Sequence, residues 1–189
     1  MASRRTSAAP VAYTRTAIAF HWLIAVLIAC GFSLGWVMVR IPGITPDKLR
    51  YFSWHKWIGV TVLLLSAARL LWRERHPPPE LPATMSPLET RLARASHMLL
   101  YILFFASPIT GWLFSSASGI PTVYLNLVPL PDLLPKDKAV AHVLREAHQW
   151  INYTMAALIA VHAAAALKHH FHDRDDVLRR MLPANRGSP

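Results

Sequence analysis

The sequence predicts an all-α integral membrane protein, a single domain in which four helices run alternately up and down through a bilayer. Three observations carry that expectation. Hydrophobic residues make up 53% of the 189 and charged residues only 16%, with a positive mean hydropathy, which is too apolar for an ordinary soluble domain. The apolar residues gather into four windows, each near the roughly 20 residues that cross about 30 Å of hydrocarbon at about 1.5 Å per residue. The Lys and Arg residues, which leave a formal net charge of +10, sit at the ends of those windows and not along one amphipathic face. The charge therefore belongs to membrane topology, and nucleic acid is excluded as a partner.

The first span runs from about Ala17 to Val39. Arg4 and Arg5 precede it as they would a signal peptide, but the apolar stretch outruns a normal h-region and has no convincing small-residue cleavage site, so it is expected to stay as a helix. Cys30 lies inside it; a single cysteine builds neither a disulfide framework nor a thiolate metal site and reads as a small apolar side chain. The second span covers about Trp54 to Trp72. After it, His76-Pro77-Pro78-Pro79 and Pro82 forbid helix and give an extended polar connection from Arg73 to Glu89. The third span covers about Ala95 to Phe114. From Gly119 to Lys138, Pro121, Pro129, Pro131 and Pro135 predict a longer loop at the surface or interface, and the fourth span follows from about Ala147 to Leu167. Short polar tails flank the whole.

Orientation follows from the basic residues. Thirteen Lys and Arg, from Arg4 to Arg186, fall on the side of the two termini and the 73–89 connection, and seven fall on the other. The positive-inside rule puts both termini in the cytoplasm, in keeping with an even number of spans. Trp36, Trp54, Trp57, Trp72, Trp112 and Trp150 fall near span ends, where indole favours the interface.

Strongly polar residues in a span are costly and mark function by default. Here they are histidines: His21 opens the first span, His55 the second, His97 the third, and the fourth carries His148 and His162. Fourteen residues at about 100° each return to within about 40° of the starting direction, about 21 Å further along the axis, so His148 and His162 face one groove at two depths. The fourth span descends, which pairs His148 with His55 near the outside and His162 with His21 near the cytoplasm. Two stacked transverse pairs suit two haems, each iron held by an imidazole on either face. Small residues near the ligands, namely Gly59, Ala25 and Ala163 to Ala166, leave room for a flat macrocycle, although close helix packing in lipid also uses them.

Because no Cys-x-x-Cys-His occurs, attachment would be by coordination, giving b-type haem. Zinc, the rival use of histidines, needs four converging ligands, and neither depth offers an Asp, Glu or Cys to complete them. His97 serves either as a hydrogen-bonded packing residue or as a quinone contact near the inner pair. His169, seven residues after His162, shares its face about 10 Å nearer the cytoplasm. It would offer a quinone head group a hydrogen bond or a proton, or else belong with His170 and His172 to a solvated interfacial cluster. His76 and His142, in polar flanks, read as solvated loop residues.

At AFHWLIA, WHKWIGV, LREAHQWINY and VHAAAALKHHF the chain resembles the bacterial cytochrome b561 family of di-haem inner-membrane proteins, over about Tyr13 to Pro183. The resemblance implies a multi-pass four-helix bundle in the bacterial inner membrane with axial ligands at His21, His55, His148 and His162, in the pairs that depth suggests. It also implies an activity, because a member of the family is a superoxide oxidase that passes electrons from periplasmic superoxide to membrane ubiquinone. Others are quinone-linked subunits serving a partner redox enzyme such as a hydrogenase or dehydrogenase. In the first case Arg50, Lys56, Lys136, Lys138 and Arg145 would steer superoxide and pair with haem propionates, the plainer alternative being solvated loop charge. The loop from Gly119 to Lys138 is longer and richer in proline than in the shortest members of the family.

Overall fold

A computed structural model of the protein describes residues 12–182; Arg4, Arg5 and Arg186, counted above for topology, lie outside the described residues. Its four long helices are α1 (Arg15–Met38), α2 (Pro46–Arg75), α3 (Pro87–Ala117) and α4 (Lys138–Lys168). Each begins on a side chain that accepts from the first free backbone N–H groups: Thr14, Thr45, Ser86 and Asp137. Ser86 and Glu89 form a reciprocal capping box, and Pro46 and Pro87 occupy the first turn, where a missing N–H costs nothing. The caps of α2, α3 and α4 lie nine or ten residues before the apolar windows, so these helices start earlier than hydropathy predicts. At 30 or 31 residues they measure about 45 Å and project beyond the hydrocarbon.

Cross-helix contacts give the topology. His55 of α2 meets Gly31 of α1, whereas Arg69 further along α2 meets His21 nearer the start of α1. Ser107 of α3 bonds Asn152 of α4, and Lys168 at the far end of α4 reaches back to Glu89 at the start of α3. Neighbours therefore run antiparallel, up and down. Three helices, α1, α3 and the stretch from Lys138 to Asp173, are long and apolar enough to cross a membrane. Helix α2 is as long, but His55, Lys56 and Arg69 interrupt its apolar stretch; it packs against both α1 and α3. Val26, Leu64, Ile102 and Val161, all more than half exposed, would be a liability in water and suit a lipid-facing surface.

Leu100 and Phe104 of α3 and Met155 of α4 form the buried core, with Ile28 of α1 against them. Met155 lies seven residues from both His148 and His162, so an apolar plug separates the two depths.

The segment after α3 departs from the expected plain loop. Ser118, Gly119 and Ile120 close α3, with Gly119 N–H on the Ser116 carbonyl and Ile120 N–H on that of Ser115. Gly119 has φ +69°, which favours glycine, and a Cβ there would sit 2.8 Å from Lys136 Cδ, so that the lysine side chain would have to shift. An antiparallel hairpin follows, β1 (Thr122–Tyr124) and β2 (Val128–Leu130), turning through Leu125 and Asn126 at positive φ. Proline at 129 is tolerated in a two-stranded ribbon because its missing donor faces no partner strand on that side. Trp57 Nε1 donates to the Val123 carbonyl at 2.8 Å, Trp112 Nε1 to that of Pro131 at 3.1 Å, and Lys56 Nζ to that of Pro121 at 3.1 Å. The hairpin is thereby stapled over one end of the bundle, called here the hairpin end.

At the opposite, termini end, α4 gives way to a π turn (His169–Asp173) and Arg174 at φ 55°. The chain then returns so that Trp22 Nε1 donates to the Met181 carbonyl at 2.7 Å and Arg180 Nη1 to that of Glu80 at 2.7 Å. Lys168 Nζ joins Glu89 at 2.9 Å and Asp173 at 2.7 Å. Its hydrogen bond, together with those from Ser86, holds the Glu89 carboxyl down to about 2 from an ordinary 4.5. A depressed carboxylate stabilises the fold above its unfolded value and ceases to do so as pH falls through the folded one. Glu89→Gln should therefore flatten the loss of thermal midpoint between pH 4.5 and 2, measured in detergent, and parallel curves for the two proteins would refute the contribution.

Candidate functional site

The inward faces of the helices bring four of the predicted histidines together in two pairs. His55 of α2 and His148 of α4 stand with ring centroids 6.1 Å apart at 88°, near the hairpin end. His21 of α1 and His162 of α4 stand 6.3 Å apart at 59°, near the termini end. An imidazole nitrogen binds a transition metal at about 2 Å and lies about 1 Å from its ring centre, so two rings on opposite sides of one ion have centroids about 6 Å apart. Both pairs match that separation. Along α4 the two depths are about 21 Å apart.

At the hairpin end the backbone selects the tautomer. His55 Nδ1 lies 2.8 Å from the Gly31 carbonyl and His148 Nδ1 3.0 Å from that of Ser107. A carbonyl only accepts, so each Nδ1 carries the proton and each Nε2 keeps its lone pair, the form that ligates metal. Thr110 Oγ1 adds a contact to His148 Nδ1 at 3.3 Å, and Asn152, fixed by the Ser107 hydroxyl at 3.0 Å, turns its Nδ2 towards His148 Nε2 at 3.3 Å. An iron would replace that last long contact.

Room for the rings comes from glycines on neighbouring helices. A Cβ on Gly35 of α1 would lie 3.3 Å from His55 Cε1, and one on Gly111 of α3 would lie 3.0 Å from His148 Cε1. Gly59, singled out for lying one turn from His55, faces Pro108 of α3 at an ordinary 3.9 Å. Close approach is a property of helix pairs, so spacing along one helix does not find it.

The termini end is more polar. His97 of α3 stands with its ring 5.3 Å from that of His162, at the same depth. Arg69 places Nη2 3.4 Å from His21 Nδ1, and Arg69 and Arg73 each hold a guanidinium carbon 5.5 Å from the Tyr101 ring. His169 is 8% exposed, its Nδ1 2.7 Å from Asp175 and 3.1 Å from Asp173. These three could converge on a cation, but Lys168 already sets its ammonium on Asp173 and supplies the charge. The expected solvated cluster of His169, His170 and His172 is thus an ordered network at His169.

The basic residues predicted to steer an anion divide. Arg50 pairs with Asp47 in solvent, and Lys56 is spent on the carbonyls of Ile120 and Pro121. Lys136, Lys138 and Arg145 line a single cavity of about 440 Å³ beside Phe114 and Ser118. His142 lines it too, 3.3 Å from Arg145. Expected in a solvated flank, it lies on the first turns of α4, which begins nine residues before the apolar window.

A facing pair of imidazoles at each depth, with none of the ten Asp and Glu side chains hydrogen-bonded to either pair among the described residues, fits an iron held in a macrocycle and not a tetrahedral zinc. The family model described as prokaryotic cytochrome b561 matches residues 12–184. The chain is 36% identical to cytochrome b561 homolog 2 of Escherichia coli K12, over 92% of each protein. It is 30% identical to the protein of Yersinia pestis named probable superoxide oxidase CybB, over 93% of this chain and 98% of that one. Identity to cytochrome b561 homolog 1 of E. coli K12 is 28%, over 90% and 97%.

The glycine contacts yield a direct test. Gly111→Ala should force His148 aside, lower stability by about 1–3 kcal/mol and broaden the visible spectrum of bound haem, whereas Gly59→Ala should change neither. Thermal midpoints and absorption spectra of the purified variants decide it, and equal behaviour of the two would refute the assignment.

Proposed function

The chain belongs to the prokaryotic cytochrome b561 family, a family of b-type haem membrane proteins of electron transfer, and from that premise we propose that it oxidises superoxide and reduces ubiquinone. The reading takes His21/His162 and His55/His148 as the axial ligands of two haems. The observation that carries it is the equal 6 Å gap within each pair at two depths, beneath a basic cavity at one end. The distribution of Lys and Arg supports reading that cavity as periplasmic and the termini as cytoplasmic, in a bacterial inner membrane. The relative in Yersinia pestis, named as a probable superoxide oxidase, favours the same donor.

The stoichiometry closes without a further reactant. Two superoxide anions each give up one electron and leave as dioxygen; one ubiquinone takes the two electrons with two protons and leaves as ubiquinol. Haem bound within each pair supplies the one-electron redox chemistry. The chain's own part is positional. His21 with His162 and His55 with His148 would each hold a haem through two imidazoles, which would leave oxygen no place to bind and favour electron transfer without it. Lys136, Lys138 and Arg145 attract the anion to the hairpin end. At the termini end His169, oriented by Asp175 and Asp173, and His97 beside His162 are the groups placed to hand protons to the quinone.

Superoxide added to the purified haem protein with ubiquinone should yield one ubiquinol per two superoxide, and no quinone reduction above the uncatalysed rate would sink the activity. His148→Ala and His162→Ala should each remove one of two haem signals; retention of both in either variant would overturn the ligand assignment. Lys136→Glu with Lys138→Glu should slow superoxide consumption about tenfold at low salt and flatten its salt dependence.

A further inference from the structure

Two cations at the termini end, the half-buried Arg69 and the exposed Arg73, have no carboxylate partner among the described residues. Arg69 and Arg73 are one turn apart on α2 and converge on the same ring, that of Tyr101 on α3. Like charges at that spacing repel, and a guanidinium in the membrane region is retained where something anionic meets it. Among the described residues every ion pair involves other cations, and residues 1–11 and 183–189 contain no Asp or Glu. Tyr13 does not supply the charge either: burial raises its phenol above 10.0 despite Arg73, Arg69 and Arg180 nearby, so it stays neutral.

The contact Arg69 does make is also out of keeping with its neighbour's role. Arginine only donates, so the His21 Nδ1 it faces at 3.4 Å must accept. A histidine that binds iron through Nε2 instead donates from Nδ1, as His55 and His148 are set up to do. Arg69 thus leans on His21 for want of an acceptor of its own. Next to a haem held by His21 and His162, the acceptor of fitting chemistry is a carboxylate, which a planar guanidinium grips through two parallel bonds.

We propose that Arg69 and Arg73, backed by the Tyr101 ring, bind the propionate carboxylates of the haem at the termini end, fixing which edge of the macrocycle faces that surface. The proposal rests on the two-haem reading above but not on superoxide or quinone as substrates. It gives α2 a second function at its far end, as His55 gives it one at the hairpin end.

The test follows loss of haem from the purified holoprotein to an excess of apomyoglobin, with the His148→Ala protein identifying the signal of the termini-end haem. Arg69→Gln and Arg73→Gln should each speed release of that haem about tenfold or more and leave release from the hairpin end unchanged, which also reports an intact bundle. Arg69→Lys should restore most of the retention. In protein reconstituted with haem dimethyl ester, which lacks the carboxylates, the glutamine variants should release haem within twofold of the wild type. An unchanged rate with native haem, or an effect equally large with the ester, would overturn the proposal; the second result would assign the arginines to another anion, such as a quinone oxygen or a lipid phosphate. A wild-type protein with one haem would sink the two-haem reading instead, a result read from its spectrum before any variant is made.

Discussion

The gap of about 6 Å between facing imidazoles, repeated at two depths, is the constraint around which the bundle is organised. Holding two rings that far apart prevents the helices carrying them from packing directly, so each ring must be fixed by something other than its opposite number. Carbonyls of Gly31 and Ser107, on helices that carry neither ring of the pair, do this for His55 and His148. Those helices must come close, and glycine at 35 and 111 lets them. Between the depths the constraint relaxes, and Leu100, Phe104 and Met155 close the interior with ordinary apolar packing.

Indole groups secure the two ends against this open interior. Trp57 and Trp112 hold the hairpin segment by its carbonyls, and at the other end Trp22 holds the Met181 carbonyl while Trp72 donates to the Thr14 hydroxyl that caps α1. Interfacial tryptophans are usually credited with anchoring to lipid. Here the N–H groups of Trp22, Trp57 and Trp112 also satisfy connecting backbone that would otherwise be poorly partnered at the bilayer edge. The same side chain can serve both needs because its ring and its donor point to different solvents.

Much of this was legible in the order of residues. Hydropathy locates the spans, and the fourteen-residue interval between His148 and His162 dictates two depths on one face, from which the partners follow by topology. What could not be read has a common cause: it depends on where one segment lands on another. Gly35 and Gly111 matter only through rings on other helices. The Gly119–Lys138 segment lacks the alternation of a strand, and its hairpin turns through Leu125 and Asn126 at positive φ and is held by α2 and α3. Asp175 reaches His169 because a π turn and Arg174 reverse the chain. The early starts of α2, α3 and α4 were available in principle, since Thr45-Pro46, Ser86-Pro87-x-Glu89 and Asp137 are cap signals, but the apolar windows drew the boundaries inward.

Charge shows most clearly why placement outweighs composition. A net +10 is explained at first by topology alone. Yet seven of the ten acidic residues are spent locally: Asp47 on Arg50, Glu146 on Arg145, Glu89 and Asp173 on Lys168, Asp175 on His169, Asp176 on Arg180, and Asp137 on the first turn of α4. Among the cations that have no carboxylate partner in the described residues, two groups are gathered by the fold, Lys136 and Lys138 in the cavity at the hairpin end and Arg69 and Arg73 against the Tyr101 ring at the termini end. The first group is solvated and acts at a distance that salt can screen. In the second, Arg69 is half-buried beside His21, where the lower dielectric makes an absent counter-ion costly and a bound one strongly held. An excess of positive charge that merely oriented the chain would have no reason to sit beside His21, inside the bundle.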